Sequence, residues 1–300
     1  MLKIAFSRIY KYNLPEGHRF PMVKYELLPE QLIYEGTVTN ENFFEPSKLN
    51  DDQILLTHTK EYLDKLNNLT LSRKEERNIG FPVRTDLIER GKVISHGTYE
   101  CAQYALKNKI SMNIAGGTHH AYADKGEGFC VFNDMAIASN LLLKEALVEK
   151  ILFIDLDVHQ GNGNAYLFKD DPRVFTFSMH GAKNYPLRKE KSDYDIGVPD
   201  KIEDGAYLKL LKEALPQILQ THEPDIVFYQ SGVDILINDK LGRLSITKDG
   251  CKQRDHFVFS QCQLNDVPVV VSMGGGYSEK LSDIIDAHAN TYRVAQEIFF

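Results

Sequence analysis

The sequence predicts one α/β layered domain built on a mainly parallel β-sheet. Three observations predict it: short, almost wholly apolar runs alternate with longer amphipathic stretches, no Pro/Gly/Ser-rich linker divides the chain, and there is no internal repeat. Strands that are apolar at nearly every position need cover on both faces, and parallel strands joined by right-handed helical crossovers get it. A single domain over residues 1–300 is therefore expected.

Taken in order, strands are predicted at Lys3–Phe6, Met112–Ala115, Ile151–Leu156, Val174–Ser178, Ile226–Gln230 and Val267–Ser272. Between them the periodicity predicts helices over Asp86–Asn108, Asn133–Glu149, Asp204–Thr221, Lys248–Leu264 and Glu279–Phe300. The first 85 residues look more irregular, with a turn-rich Pro15–Pro21 and a charged stretch, Lys74–Pro82, that reads as a loop. In open α/β sheets the loops after the strand C-termini carry function, so polar residues there matter most.

Composition narrows the function classes. Hydrophobic residues make up 43% and charged residues 26%, ordinary for a soluble protein with a sizeable core. A net charge of −7 argues against general nucleic-acid binding, which relies on Lys and Arg neutralising phosphates. It suits a cationic substrate, either a lysine-bearing peptide or a polyamine. Cys101, Cys130, Cys251 and Cys262 form no C-x-x-C pair, so neither a disulfide framework nor a zinc ribbon is expected. Ser7 and Arg8 end the first apolar run before a signal-peptide core forms, and Val267–Val271 is far shorter than the roughly 20 residues of a membrane helix. A cytoplasmic, reducing setting is the expectation, and the oligomeric state is left open.

Four strand ends carry the chemistry. Ile151-Leu152-Phe153-Ile154 runs into Asp155, Asp157 and His159, which alternate and so share one side of an extended chain. Carboxylates at a buried strand end need neutralising, and a divalent metal does this; Asp/His ligation suits zinc. The plain alternative is a pair of sheet-end carboxylates capping turns. Gly161-Asn162-Gly163 suggests a dinucleotide loop, but Tyr166 stands where the third glycine belongs. Gly116-Gly117-Thr118-His119-His120 is the second end, where a bent, glycine-supplied backbone would turn both histidines to one pocket. Two surface histidines in a turn is the alternative. The loop Gly126–Asn133 follows and ends in an Asn helix cap. Ser231-Gly232-Val233-Asp234 delivers another carboxylate, and Gly274-Gly275-Gly276-Tyr277 turns sharply to hold a tyrosine over the site.

G-G-x-H-H, D-L-D-V-H-Q-G-N-G, S-G-V-D and G-G-G-Y, in this order and approximate spacing, resemble the histone deacetylase superfamily over nearly the whole chain. Gln160, Asn162 and the Gly17–Pro21 opening resemble its class IV branch and bacterial relatives. The resemblance implies an arginase/deacetylase-like three-layer α/β fold and zinc-dependent hydrolysis of an N-acyl-lysine amide. It implies one zinc per chain on Asp157, His159 and Asp234, with Asp155 behind His119, Asn162 behind His120, and Tyr277 stabilising the oxyanion. Gly128 and Phe129 match one wall of the substrate tunnel, with Tyr185 as the opposite wall. A potassium ion is implied near Asp155, Asp157, His159, Ser178 and Met179, and a second near Phe168, Asp171, Val174 and Tyr194. The rim aspartate of many members has no clear counterpart around Gly80-Phe81-Pro82. Two other readings stand beside the lysine deacylase: an acetylpolyamine or other small acylamine amidohydrolase, and an inactive metal-holding binding module.

Overall fold

Eight parallel strands form one sheet in the order β2-β1-β3-β8-β7-β4-β5-β6 in the computed structural model, which describes residues 1–300. They are β1 (Lys3–Ala5), β2 (Phe43–Phe44), β3 (Ile110–Asn113), β4 (Ile151–Asp155), β5 (Val174–Gly181), β6 (Tyr194–Val198), β7 (Ile226–Gln230) and β8 (Val269–Ser272). The helices are α1 (Lys24–Tyr34), α2 (Asp51–Ile54), α3 (Lys60–Asn67), α4 (Arg73–Ile79), α5 (Thr85–Asn108), α6 (Asp134–Lys144), α7 (Asn162–Phe168), α8 (Asp204–His222), α9 (Lys248–Leu264) and α10 (Leu281–Phe299). All six predicted strands and all five predicted helices are present, with ends that differ by a few residues. The helix after Asn133 stops at Lys144, five residues early, because Ala146 takes a left-handed conformation.

The apolar runs are explained by their cover. Every residue of β3, β4, β7 and β8 is buried. Helix α5 packs on β1, β3 and β8 and on α6, while α8, α9, α10 and α1 pack against one another in turn. One expectation fails, while the first 85 residues are, as expected, the more irregular part. Lys74–Pro82 is not a loop: Arg73–Ile79 is helical, capped by the Ser72/Glu75 capping box and ended by Gly80 in the left-handed region. The first 85 residues hold four helices and two edge-side strands, with Thr59 and Asn50 as N-caps.

Register brings the strand ends level. Asn113 faces Ser272, Ser272 faces Gln230, Gln230 faces Asp155, and Asp155 faces Ser178. A polar row thus closes the apolar sheet at its C-terminal edge. The loops leaving β3, β8, β7 and β4, four neighbours, open over it.

Candidate active site

Asp157, His159 and Asp234 converge above this edge, each offering one ligand atom within 4.8 Å of the others. Strand β4 ends at Asp155, so the alternation expected for Asp155, Asp157 and His159 does not continue past it; a bent segment carries the last two. Backbone donors fix the carboxylates: His159 N and Gly275 N donate to Asp157 at 3.0 and 2.8 Å, and Val158 N donates to Asp234 at 3.0 Å. Nδ1 of His159 lies 3.1 Å from an oxygen of each. Position 275 has to be glycine, because a Cβ there would sit 2.0 Å from Asp234 Oδ2. Burial and the charge of Asp157 push Asp234 up to about 7. Burial would raise Asp157 too, but the His119 and His159 imidazoles hold it well below the usual range. His159, despite burial, is drawn up to about 10 by the two carboxylates. Two carboxylates and an imidazole crowded this way call for a cation, and the triad can bind a metal.

Gly116 and Gly117, both at positive φ (83° and 75°), bend the chain so that His119 and His120 are both buried, with ring centroids 4.1 Å apart. The surface-turn alternative fails at this point. Nδ1 of His119 lies 2.7 Å from Asp155 Oδ2. Burial lowers His119, but Asp155 and Asp157 more than offset it, so its pKa is raised. Nδ1 of His120 lies 2.5 Å from Asn162 Oδ1, while Asn162 donates through Nδ2 to the Tyr122 hydroxyl at 3.0 Å. With the amide so oriented, His120 Nδ1 is the donor and Nε2 is left as acceptor. Burial, then the His119 and His159 charges, pushes His120 well below the ordinary histidine value.

Tyr277 is held from its backbone, its N–H donating to Asp239 at 2.6 Å. Burial, then the Asp234 and Asp157 charges, raises its phenol and keeps it protonated. It lines a cavity of about 550 Å³ together with His120, His159, Gly128, Phe129 and Tyr185. Phe129 meets Phe20 and Phe81 at centroid distances of 5.2 and 5.1 Å, so the N-terminal segment builds this wall. Tyr185 sets its ring edge-on to His120 at 5.0 Å and donates to Glu127 Oε2 at 2.5 Å.

Gln160, a family marker in the sequence, has a structural task here, and two further residues at the site, Arg254 and Lys24, were not singled out by sequence reasoning. Gln160 holds the loop bearing Tyr185, donating to Glu190 O and Asp195 and accepting from Glu190 N. Arg254 of α9, fully buried, donates to the carbonyls of Leu156, Ser231 and Gly232 and so braces both loops that carry the triad. Lys24 is buried and donates to Gly274 O at 3.2 Å; burial brings it down to about 8 against the pull of Asp234 and Asp157. Neither Arg254 nor Lys24 belongs to a motif that spacing would flag. Of the expected potassium positions, Asp155 and Ser178 stand side by side on β4 and β5. Met179 follows on β5, and Asp171 is taken by Arg173 at 2.7 Å.

The profile described as "Histone deacetylase domain" matches residues 18–292. An uncharacterized protein of Picosynechococcus sp. is 39% identical over 296 residues, covering 99% of each chain. Histone deacetylase 2 of Arabidopsis thaliana is 30% identical, covering 95% of this chain and 76% of its own. A solved HDAC homologue from Aquifex aeolicus has a similar fold, with a TM-score of 0.84 at 23% identity over 97% of this chain and 82% of that one.

Proposed function

The chain belongs to the histone deacetylase family, and from that premise we propose that it is a zinc-dependent deacylase hydrolysing the amide of an N-acyl-lysine. Residues 1–300 act on this reading as one catalytic domain. The observation that carries it is the buried Asp157–His159–Asp234 cluster set beside an imidazole, His120, with a free acceptor nitrogen. Two carboxylate oxygens and one ring nitrogen would suit zinc, held by Asp157, His159 and Asp234. When bound, zinc polarises the scissile carbonyl and acidifies water at the site.

The chain's own groups do the remainder. His120 accepts the proton of the attacking water at Nε2 and delivers one to the departing amine as the C–N bond breaks. Asn162 keeps Nδ1 protonated throughout. Tyr277 donates a hydrogen bond to the carbonyl oxygen as negative charge builds on it. His119, charged against Asp155, acts as an electrostatic partner. Potassium is proposed between Asp155 and Ser178, with carbonyls of Asp157, His159 and Met179, supported by the register that sets Asp155 against Ser178. Gln160 and Asn162 keep the class IV likeness. The space lined by Asp157, Gly116, Gly117, Gly274 and Gly275 is only about 40 Å³, room for a few water-sized groups. It supports acetyl as the acyl group over a long alkyl chain.

The test is turnover of an acetyl-lysine peptide alongside metal analysis. We expect Asp157→Ala and Asp234→Ala to lose both zinc and hydrolysis. Tyr277→Phe should keep zinc and melting temperature while kcat falls roughly 10²–10³-fold. Full zinc occupancy in both alanine variants would overturn the assignment.

A further inference from the structure

Four cationic side chains stand around the mouth of the cavity: Arg19, Arg77, Lys183 and Arg243. They come from four separate segments of the chain and all are exposed. Glu127 is the one carboxylate among the lining residues, and it is engaged by Lys125 Nζ at 2.6 Å and by the Tyr185 hydroxyl. Lys183 and Arg243 share Asp200, at 3.9 and 3.3 Å. With these partners counted, five cations face two carboxylates. Arg19 lies over the Phe129 ring, 5.0 Å from its centroid, and Arg77 Nε donates to the Arg73 carbonyl at 3.3 Å; neither forms an ion pair with a carboxylate. A chain of net charge −7 therefore surrounds this opening with positive charge.

Resting on the deacylase reading, we infer that the substrate is an acylated lysine flanked by carboxylates, in an acidic peptide segment. An acyl-lysine arm is neutral once acylated, so the charge at the rim acts on what flanks it. Unpaired guanidiniums donate charge-assisted, bidentate hydrogen bonds to carboxylates, and a positive rim focuses an anionic partner toward the opening. The same field repels a polyamine, whose other amines stay protonated, and a lysine-rich tail. A free N-acyl-lysine brings its own carboxylate and shares the chemistry. The peptide is favoured because a free amino acid brings one carboxylate, whereas cationic side chains from four separate segments line the mouth.

The experiment compares kcat/KM of the zinc-loaded enzyme on one acetyl-lysine peptide with Asp, Ser or Arg flanks, on free Nε-acetyl-lysine and on N-acetylputrescine. Binding of the same peptides to zinc-loaded Tyr277→Phe is measured by calorimetry. We expect the Asp-flanked peptide to exceed the Arg-flanked one by about tenfold at low salt. The ratio should shrink toward unity as salt rises from roughly 0.01 to 1 M and the screening length falls from about 30 to 3 Å. In Arg19→Gln/Arg77→Gln, two exposed positions whose loss spares the core, the ratio should fall severalfold. Free Nε-acetyl-lysine outrunning every peptide would keep the anionic chemistry and overturn the peptide as its source. Hydrolysis with equal rates, or faster on Arg flanks or acetylputrescine, overturns the inference and leaves the deacylase standing. Preferential binding of Asp-flanked peptide with no hydrolysis of any substrate overturns the deacylase and leaves the inference. Neither binding nor hydrolysis overturns both.

Discussion

Asn162 spends its amide nitrogen on Tyr122, so only its oxygen is left for His120, and a neutral acceptor does little to stabilise an imidazolium. Burial, then the His119 and His159 charges, therefore keep His120 below the ordinary value near 6.5, neutral and able to take a proton at pH 7; the competent form is lost only as pH falls toward that lowered pKa. Asn162→Asp places a carboxylate against Nδ1, and the acid limb of the kcat/KM profile should move up by about 1–2 pH units. An unmoved limb would remove Asn162 from control of the base. At this scale the sequence shows what lies inside a motif: His119, His120, Asp155, Asp157, His159, Asp234 and Tyr277 all reach one site. It hides what depends on distant segments meeting. Lys183 and Arg243 carry no local pattern, Arg19 and Arg77 sit in stretches marked only by turns and charge, and the common position of all four exists only after folding.

Helix α9 shows how an element far in sequence serves the site. Arg254 and Asp255 form a fully buried pair at 2.8 Å, and Asp255 also accepts from Tyr229 and Thr291. Removing one member of such a pair strands the other charge, so Arg254→Met should cost about 3–5 kcal/mol in urea unfolding. Zinc should also leave faster to a chelator, since the carbonyls of Leu156, Ser231 and Gly232 lose their donor. Normal stability together with normal zinc release would make Arg254 a bystander. Several of the elements that sequence reasoning missed have no long apolar run to mark them. Strand β2 has two residues, and β6 is an edge strand whose Tyr-Asp-Ile-Gly-Val is largely exposed, so neither has an apolar run. The helix α7 follows Gly161 and contains Gly163, and α4 is charged along most of its length. Its capping box, Ser72 to Glu75, is the one signal that would have found it. Where burial on both faces demanded apolar sequence, the strands were plain to see.

Across the whole molecule, charge and protonation have to be read by place. A net charge of −7 suits a cationic partner on average, yet the mouth of the cavity is positive. Stability follows a similar rule. His58 is fully buried, accepts from Asn133 N at 3.0 Å, and is lowered by burial to about 4, while burial places His288 well below its ordinary value. An unfolded chain protonates these imidazoles near pH 6.5 while the folded protein resists. Stability is thus full above pH 6.5 and falls as pH drops toward 4, by on the order of 3 kcal/mol for His58 alone. Denaturant unfolding between pH 7 and 4.5 checks this, and His58→Gln should flatten the slope. A slope indifferent to that change would exclude His58 as its source.

Strand β8 lies in the middle of the sheet, between β3 and β7, although it is the last strand of the chain. Until it arrives there are two half-sheets, β2-β1-β3 and β7-β4-β5-β6, each with an open edge that the other cannot close. The loop that follows it carries Gly275, donor to Asp157, and Tyr277. During synthesis, then, the two halves can join only after Val269–Ser272 has been made, and the triad waits on the same event. Folding of the sheet and competence of the site are completed together by one late segment. No partly made chain has the one without the other.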